Sequence, residues 1–197
     1  MYQVQNFDHL LGLPGFSDNA LTTHFALYQG YVNNANKLSD ALAAMLKDGK
    51  AGTPEYAELK RRFGWEFNGM RLHEYHFGAM TKTPSPLEPG SPLHQQIVKD
   101  FGSFDVWQQD FVATAAMRGI GWAILYHDQM AGRLFNAWVN EHDLGHLAGV
   151  PLLLNLDVFE HAFMLDYGTK RPDYITASLS IIDWGAVAQR FAAVHSA

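Results

Sequence analysis

Two side chains that could bind a metal ion lie four residues apart in the last quarter of the chain. Asp157 and His161 follow an apolar run at residues 150–154, which predicts a buried strand. Asp157 would then end the strand, and His161 would lie one turn into the next helix. At this spacing both side chains could meet at one ion. The pattern fits a helix-capping aspartate and an ordinary helical histidine equally well, so this stretch alone does not decide.

Two more histidines lie on long predicted helices in the first half of the chain. His24 shares one helical face with Tyr28 and Tyr31, which follow it by four and seven residues. His73 lies within an apolar helical stripe. The other members of that stripe are Phe63, Phe67, Met70, Phe77 and Met80. Taken singly, each histidine is better interpreted as a packed core imidazole. If both helices face residues 157–161, however, a His₃Asp set forms, and such ligands suit iron, manganese or zinc.

Glycine- and proline-rich breaks divide the chain into a helical half and a mixed half. Helices at about 19–46, with a break near Asn33, and from about residue 54 onward predict an antiparallel hairpin. A linker at 81–92 precedes two short helices. Strands are predicted at 121–127 and 133–139 and before Asp157, and three helices follow them.

We therefore expect an α+β protein with two domains. Residues 1–85 would form an N-terminal antiparallel helical hairpin domain. Residues 86–197 would form a C-terminal α+β domain with a three-stranded antiparallel sheet.

The composition excludes several classes of partner and site. Of the 197 residues, 48% are hydrophobic and 17% charged, as in folded proteins. The net charge of -6 and the lack of a basic run argue against nucleic acid as a partner. No apolar run is long enough to cross a membrane. The chain has no cysteine and no signal-type N-terminus, so we expect a cytoplasmic protein. Its ten histidines make a histidine-based metal site the one to look for.

Several stretches resemble one known family. Residues 157–163, D-V-F-E-H-A-F, resemble the D-V-W-E-H-A-Y motif of the iron/manganese superoxide dismutases. The stretches Y-V-N-N-A-N at 31–36, G-W-A at 121–123 and R-P-D-Y-I at 171–175 also resemble that family, in the same order. The resemblance implies a helical hairpin domain, an α+β domain and one iron or manganese ion per chain between them. The implied ligands are His24, His73, Asp157 and His161, with a solvent molecule completing the site.

The same resemblance implies an activity and further site residues. The ion would convert superoxide to O₂ and H₂O₂ by alternating between +3 and +2. Tyr31 would relay protons at the substrate entrance, with Tyr28 and Tyr174 at neighbouring gateway positions. Trp122 lies in the family-like G-W-A stretch and would also belong to the site. Glu160 would bridge to a second subunit, which implies a homodimer or a dimer-based tetramer.

The chain departs from the family pattern around the bound solvent. The glutamine that normally holds this solvent is missing from both of its usual places. Its C-terminal place is occupied by Asn-Glu-His-Asp at residues 140–143, so we assign His142 as the replacement, with His146 as the less favoured option. An imidazole with an ordinary pKa of about 6.5 is expected to titrate in the working range. Tyr31 also follows His24 by seven residues, whereas eight is usual in the family.

Two other function classes remain open from the sequence. The same fold could be a non-catalytic metal-binding protein or an iron protein that reacts with peroxide. A zinc hydrolase is a further option, because histidine and aspartate also bind Zn²⁺. Against hydrolysis, Glu160 is the one carboxylate base placed near the proposed ligands.

Overall fold

Two long helices form the first half of the chain. The structure, a computed structural model, describes residues 1–195. Helix α1 spans Asp18–Lys47 and helix α2 spans Pro54–Phe77. The side chain of Ser17 caps α1 and that of Thr53 caps α2, each by accepting a backbone N–H of the first turn. Pro54 fits the first position of α2 because the missing N–H would have no intrahelical partner there.

The two helices pack as an antiparallel hairpin. Tyr28 of α1 contacts Glu74 of α2, whereas Asn34, further along α1, contacts Glu66, which comes earlier on α2. The break expected near Asn33 does not occur, and α1 is continuous. The reason is that the Asn34 side chain bonds to α2 rather than to its own backbone, so it does not compete with the helix.

Up to residue 195, the second half contains one sheet and five helices. Its elements are α3 (Pro92–Phe101), α4 (Phe104–Ala115), β1 (Gly121–Asp128), β2 (Arg133–Asn140), β3 (Leu152–Asp157), α5 (Glu160–Tyr167), α6 (Arg171–Leu179) and α7 (Trp184–His195). The sheet has the strand order β2-β1-β3, and both pairings are antiparallel. The predicted α+β fold with a three-stranded antiparallel sheet is therefore confirmed. Within residues 1–195, no helix is long and apolar enough to cross a membrane.

A small apolar cluster fixes α2 against the sheet. Leu72 of α2 packs with buried side chains of β1, β2 and the start of α5. These side chains are Trp122, Ile124, Tyr126, Val139 and Phe159. Because Leu72 is adjacent to His73 and Trp122 is paired with Asp157 across the strands, this cluster fixes the distance between two of the proposed ligands.

Arg190 of α7 joins the same two elements from the other side. Its guanidinium donates to the main-chain carbonyl of Leu153 on β3 at 2.9 Å and to that of Tyr75 on α2 at 3.0 Å. It also lies over the Tyr75 ring, 4.7 Å from the ring centroid. Burial lowers the pKa of Arg190. Arg190 therefore connects α2 and β3 through hydrogen bonds from a charged group to two main-chain carbonyls.

Replacing Arg190 with Met should lower the free energy of unfolding by about 2–4 kcal/mol, because two charged hydrogen bonds are lost and two carbonyls lose a donor. The measurement is urea unfolding of metal-free protein. Arg61→Met is the matched control, since Arg61 pairs with Glu58 on the exposed surface, and its effect should be much smaller. Equal effects of the two substitutions would contradict this account of Arg190.

Candidate metal centre

Four side chains from four different elements converge between the hairpin and the sheet. His24 comes from α1, His73 from α2, Asp157 from the end of β3 and His161 from α5. One ligand atom of each lies within 4.8 Å of all the others. The Nε2 atoms of His161, His24 and His73 lie 3.1, 3.2 and 3.5 Å from Asp157 Oδ2. The structure thus brings together all four side chains that the sequence analysis named as ligands.

Helix geometry explains why His24 and Tyr31 face the same site. Seven residues of an uninterrupted α-helix rotate a side chain by about 700°, within about 20° of its starting direction. With eight residues, the second side chain would be turned by roughly a further 100°. Because α1 is continuous from Asp18 to Lys47, the seven-residue spacing places both side chains on the face that meets α2.

The Asp157 carboxylate is oriented by hydrogen bonds at the start of α5. Its Oδ1 accepts the main-chain N–H of Phe159 at 2.9 Å, which leaves Oδ2 facing the histidines. Its main-chain carbonyl accepts the Tyr174 hydroxyl at 2.6 Å. Burial raises the pKa of Asp157, but His161 and His24 outweigh that effect and hold the pKa well below its usual range. The carboxylate is therefore ionised.

His73 is held in the tautomer that a metal ion requires. Its Nδ1 lies 2.5 Å from the Gly69 carbonyl, and a carbonyl can only accept, so Nδ1 carries the hydrogen. Nε2 therefore presents a lone pair, and this buried atom has no hydrogen-bond partner. Burial and the neighbouring His24 hold the pKa of His73 well below its usual range, so the ring is neutral. A buried lone pair beside an ionised carboxylate fits a cation such as Fe or Mn.

Aromatic side chains surround the four ligands and limit their exposure to solvent. The ring centroid of Phe77 lies 4.9 Å from that of His24, and the centroid of Phe159 lies 5.0 Å from that of His161. The Trp122 indole meets His73 edge-on, with the ring centroids 5.2 Å apart. Burial among these rings is the main reason that the pKa values of His24 and His73 are lowered.

His142 lies next to Tyr31 with a fixed pattern of donors and acceptors. Its Nε2 is 2.8 Å from the Tyr31 hydroxyl, and its Nδ1 accepts the Trp122 indole N–H at 3.1 Å. An indole can only donate, so Nδ1 carries no hydrogen and Nε2–H donates to the Tyr31 oxygen. The hydroxyl hydrogen of Tyr31 is then free to be donated elsewhere. Burial raises the pKa of Tyr31, so its phenol stays protonated.

The expected titration of His142 near neutral pH is wrong. Burial lowers the pKa of His142 to about 4, and its side chain is fully buried. The Trp122 donor opposes protonation further, because an imidazolium would point an N–H at the indole N–H. His142 is therefore a neutral imidazole throughout the range from about pH 5 to 8.

Tyr28 and Tyr174, for which gateway positions were expected, are both buried. Tyr28 is fully buried, and its hydroxyl accepts the Gln5 N–H and donates to Glu74, each at 3.0 Å. Burial raises the pKa of Tyr28 to about 12. Tyr174 is buried behind the Asp157 main chain. Each hydroxyl is engaged in hydrogen bonds within the protein.

The remaining sequence-predicted residues lie around the site. Glu160 is exposed at the start of α5. His146 does not contact Tyr31, and its ring lies between the Tyr126 hydroxyl and the His142 carbonyl.

Two residues on α2 shape the site but were not predicted from the sequence. A Cβ atom on Gly69 would lie only 2.6 Å from the Tyr31 ring, so glycine is required for Tyr31 to approach. The Trp65 ring meets His142 edge-on, with the ring centroids 4.7 Å apart. The spacing could have revealed both, because residues 65, 69 and 73 succeed one another on a single helical face.

Comparison with known proteins agrees with this geometry. Residues 89–190 match the family model described as iron/manganese superoxide dismutases, C-terminal domain. The chain is 34% identical to the iron superoxide dismutase of Saccharolobus solfataricus, over 90% of this chain and 86% of that protein. It is 35% identical to manganese superoxide dismutase 2 of Haloferax volcanii, over 90% and 88% respectively. It is also 35% identical to the iron superoxide dismutase of Aquifex pyrophilus, over 97% and 92%.

His73→Ala should weaken metal binding by more than about 100-fold, because it removes a ligand rather than a neighbour of one. Metal content after dialysis, measured by mass spectrometry, tests this. His76→Phe is the matched control, because His76 is buried one turn further along α2 but lies outside the four-ligand group. Full metal occupancy in His73→Ala, or loss of metal in His76→Phe alone, would overturn the assignment.

Proposed function

Because this chain belongs to the iron/manganese superoxide dismutase family, we propose that His24, His73, Asp157 and His161 hold the one iron or manganese ion at which it converts superoxide to O₂ and H₂O₂. The observation that carries this proposal is the convergence of four ligand atoms within 4.8 Å. When bound, the ion supplies one-electron chemistry by alternating between +3 and +2. Three imidazole ligands and one carboxylate would contribute a charge of only −1 to the bound ion, which would favour the approach of an anionic substrate.

The neighbouring side chains hold and supply protons. H₂O₂ formation consumes two protons, and we assign Tyr31 as a donor because its phenol keeps its hydrogen and receives the His142 Nε2–H. His142 orients Tyr31, and Trp122 fixes the His142 tautomer. A proton that leaves the Tyr31 oxygen must be replaced from solvent, and this is feasible because Tyr31 is only partly buried.

We propose positioning roles for the two buried tyrosines. Tyr174 holds the main chain of the ligand Asp157 through its hydroxyl. Tyr28 joins the N-terminal segment at Gln5 to Glu74 of α2, one residue beyond the ligand His73.

The function is tested by reconstitution. Metal-free protein would be loaded separately with iron, manganese and zinc, and superoxide consumption would be measured per bound ion. We expect activity with iron or manganese and none with zinc, which cannot change oxidation state. A fully loaded protein that consumes no superoxide with iron or manganese would favour a non-catalytic metal-binding protein.

We also propose a homodimer in which Glu160 contributes to the subunit interface. Glu160 is exposed next to His161, whose side chain is 26% exposed. A carboxylate in this place is available to a second subunit, and dimers with two-fold symmetry are the commonest assemblies. A dimer-based tetramer is the extension of the same proposal.

The mass in dilute solution should be at least twice that of the 22.1 kDa chain. Glu160→Ala should shift the population toward monomer, measured by sedimentation. Glu88→Ala is the control, because Glu88 is exposed on a loop far along the chain from α5. A fully active monomer at every concentration would refute the proposed dimer.

Two further statements remain proposals. We propose that residues 1–85 and 86–197 are separate domains, and an apolar cluster drawn from residues 7–80, with Ile181 as its one member from the second half, supports this. We also propose a cytoplasmic location, in line with a chain that has no cysteine for disulfides.

Substitutions at His142 should separate hydrogen bonding from charge. His142→Gln should keep the metal and most activity, because an amide can accept from Trp122 and donate to Tyr31. His142→Leu should keep the metal but lose activity by about 10- to 100-fold. Since the pKa of His142 is lowered to about 4, the activity of the wild-type enzyme should show no inflection from His142 between about pH 5 and 8. An inflection near pH 6.5 that disappears in His142→Gln would contradict the neutral imidazole.

A further inference from the structure

We propose that His146 is a positioning residue that, together with Tyr126, fixes the main chain of His142 beside Tyr31. The proposal rests on the role given above to His142. The Tyr126 hydroxyl lies 2.7 Å from His146 Nδ1, and His146 Nε2 lies 3.0 Å from the main-chain oxygen of His142. These two contacts connect the middle of the sheet to the residue that orients the proton donor.

The direction of both hydrogen bonds follows from the groups involved. A main-chain carbonyl can only accept, so His146 Nε2 carries the hydrogen. His146 Nδ1 is then a lone pair and accepts the Tyr126 hydroxyl. Tyr126 is buried, and burial raises its pKa, which keeps the hydroxyl protonated. The chain of donors therefore runs from Tyr126 through His146 to the carbonyl of His142.

His142 lies in the segment between β2 and β3, and the backbone of this segment needs to be attached to the sheet. Glu141 has φ 53, and among residues 1–195 it is the one non-glycine residue with a positive φ. This backbone conformation is unfavourable for a residue with a Cβ. Asn140 and Leu144 exchange two main-chain hydrogen bonds of 2.8 and 3.2 Å, which close a tight loop around His142. Leu144 and Leu147 are 60% and 37% exposed, so these two apolar side chains of the loop add little core packing to that of His142 itself.

One strand supplies both attachment points. Trp122 and Tyr126 are four residues apart on β1, so their side chains lie on the same face of the sheet. Trp122 holds the ring of His142, whereas Tyr126 holds its main chain through His146. Because the ring and the main chain of His142 are both attached to β1, its Nε2 is kept at 2.8 Å from the Tyr31 hydroxyl.

His146 therefore has a different role from His142. Both ring nitrogens of His146 are occupied by Tyr126 and by the His142 carbonyl, so His146 cannot also bind solvent in place of the missing glutamine. Its part-exposed ring acts through the main chain of His142 and touches neither the ligands nor Tyr31.

Three substitutions test the proposal. His146→Leu removes both hydrogen bonds, Tyr126→Phe removes one hydroxyl, and His146→Gln offers an amide that can accept from Tyr126 and donate to the carbonyl. At equal metal content, we expect activity per bound ion to fall about 10-fold in His146→Leu, less in Tyr126→Phe, and to recover in His146→Gln. His9→Leu, at an exposed histidine, should behave as wild type.

A second measurement does not depend on activity. In ¹⁵N-labelled metal-free protein, the His142 Nε2–H should give an NMR signal protected from solvent exchange in wild type and His146→Gln. The signal should be lost or broadened in His146→Leu. If His146→Leu fails to fold, Tyr126→Phe provides the same comparison.

The outcomes are decisive in both directions. Unchanged activity and an unchanged His142 signal in His146→Leu would overturn the proposal, and so would a Gln variant as impaired as the Leu variant. If wild-type protein consumes no superoxide with iron or manganese, the proposed function fails. The effect of His146 on the His142 signal would still decide the positioning role by itself.

Discussion

The structure depends on one buried charge, the carboxylate of Asp157. An isolated carboxylate in an apolar interior is destabilising by several kcal/mol or more. Here Oδ1 accepts a main-chain N–H, and Oδ2 faces three imidazoles that come from α1, α2 and α5. Since α1 and α2 lie in the first half of the chain and α5 in the second, satisfying one carboxylate requires the hairpin, the sheet and α5 to be packed together. The same requirement, that the buried Asp157 carboxylate be satisfied, therefore determines both the packing of these elements and the positions of the metal ligands.

The features predicted correctly from the sequence are those with a short-range physical cause. An apolar run ending in Asp157 indicates a strand, and the seven-residue spacing of His24 and Tyr31 indicates one face of a straight helix. The apolar stripe around His73 indicates a helix buried on that side. Each pattern lies within one strand or helix, and the residue spacing within that element also determines the direction in which a side chain points. The resemblance of several motifs, in the same order, to one family then predicted how these elements pack together, which no single pattern indicates.

The features that the sequence did not indicate concern groups whose environment is made by distant parts of the chain. Tyr28 meets Gln5 and Glu74, residues 23 and 46 positions away, so its hydroxyl is occupied inside the hairpin. His142 meets an indole 20 residues earlier and a phenol 111 residues earlier. Its lowered pKa follows from burial that neither its neighbours in sequence nor its residue type reveals. Sequence spacing indicates which face a side chain occupies, but not what lies opposite that face.

The proposed replacement of a glutamine by His142 would change the shape of the group more than its chemistry. An amide has one accepting and one donating end, and a neutral imidazole in a fixed tautomer has the same polarity. Trp122 donates to Nδ1 and thereby fixes that tautomer, so the end facing Tyr31 remains a donor. Because no charge is introduced near the ligands, the feature that would differ is the position of the donor relative to Tyr31. That position depends on the main chain at residue 142 and on the attachments of the ring and of that main chain to β1.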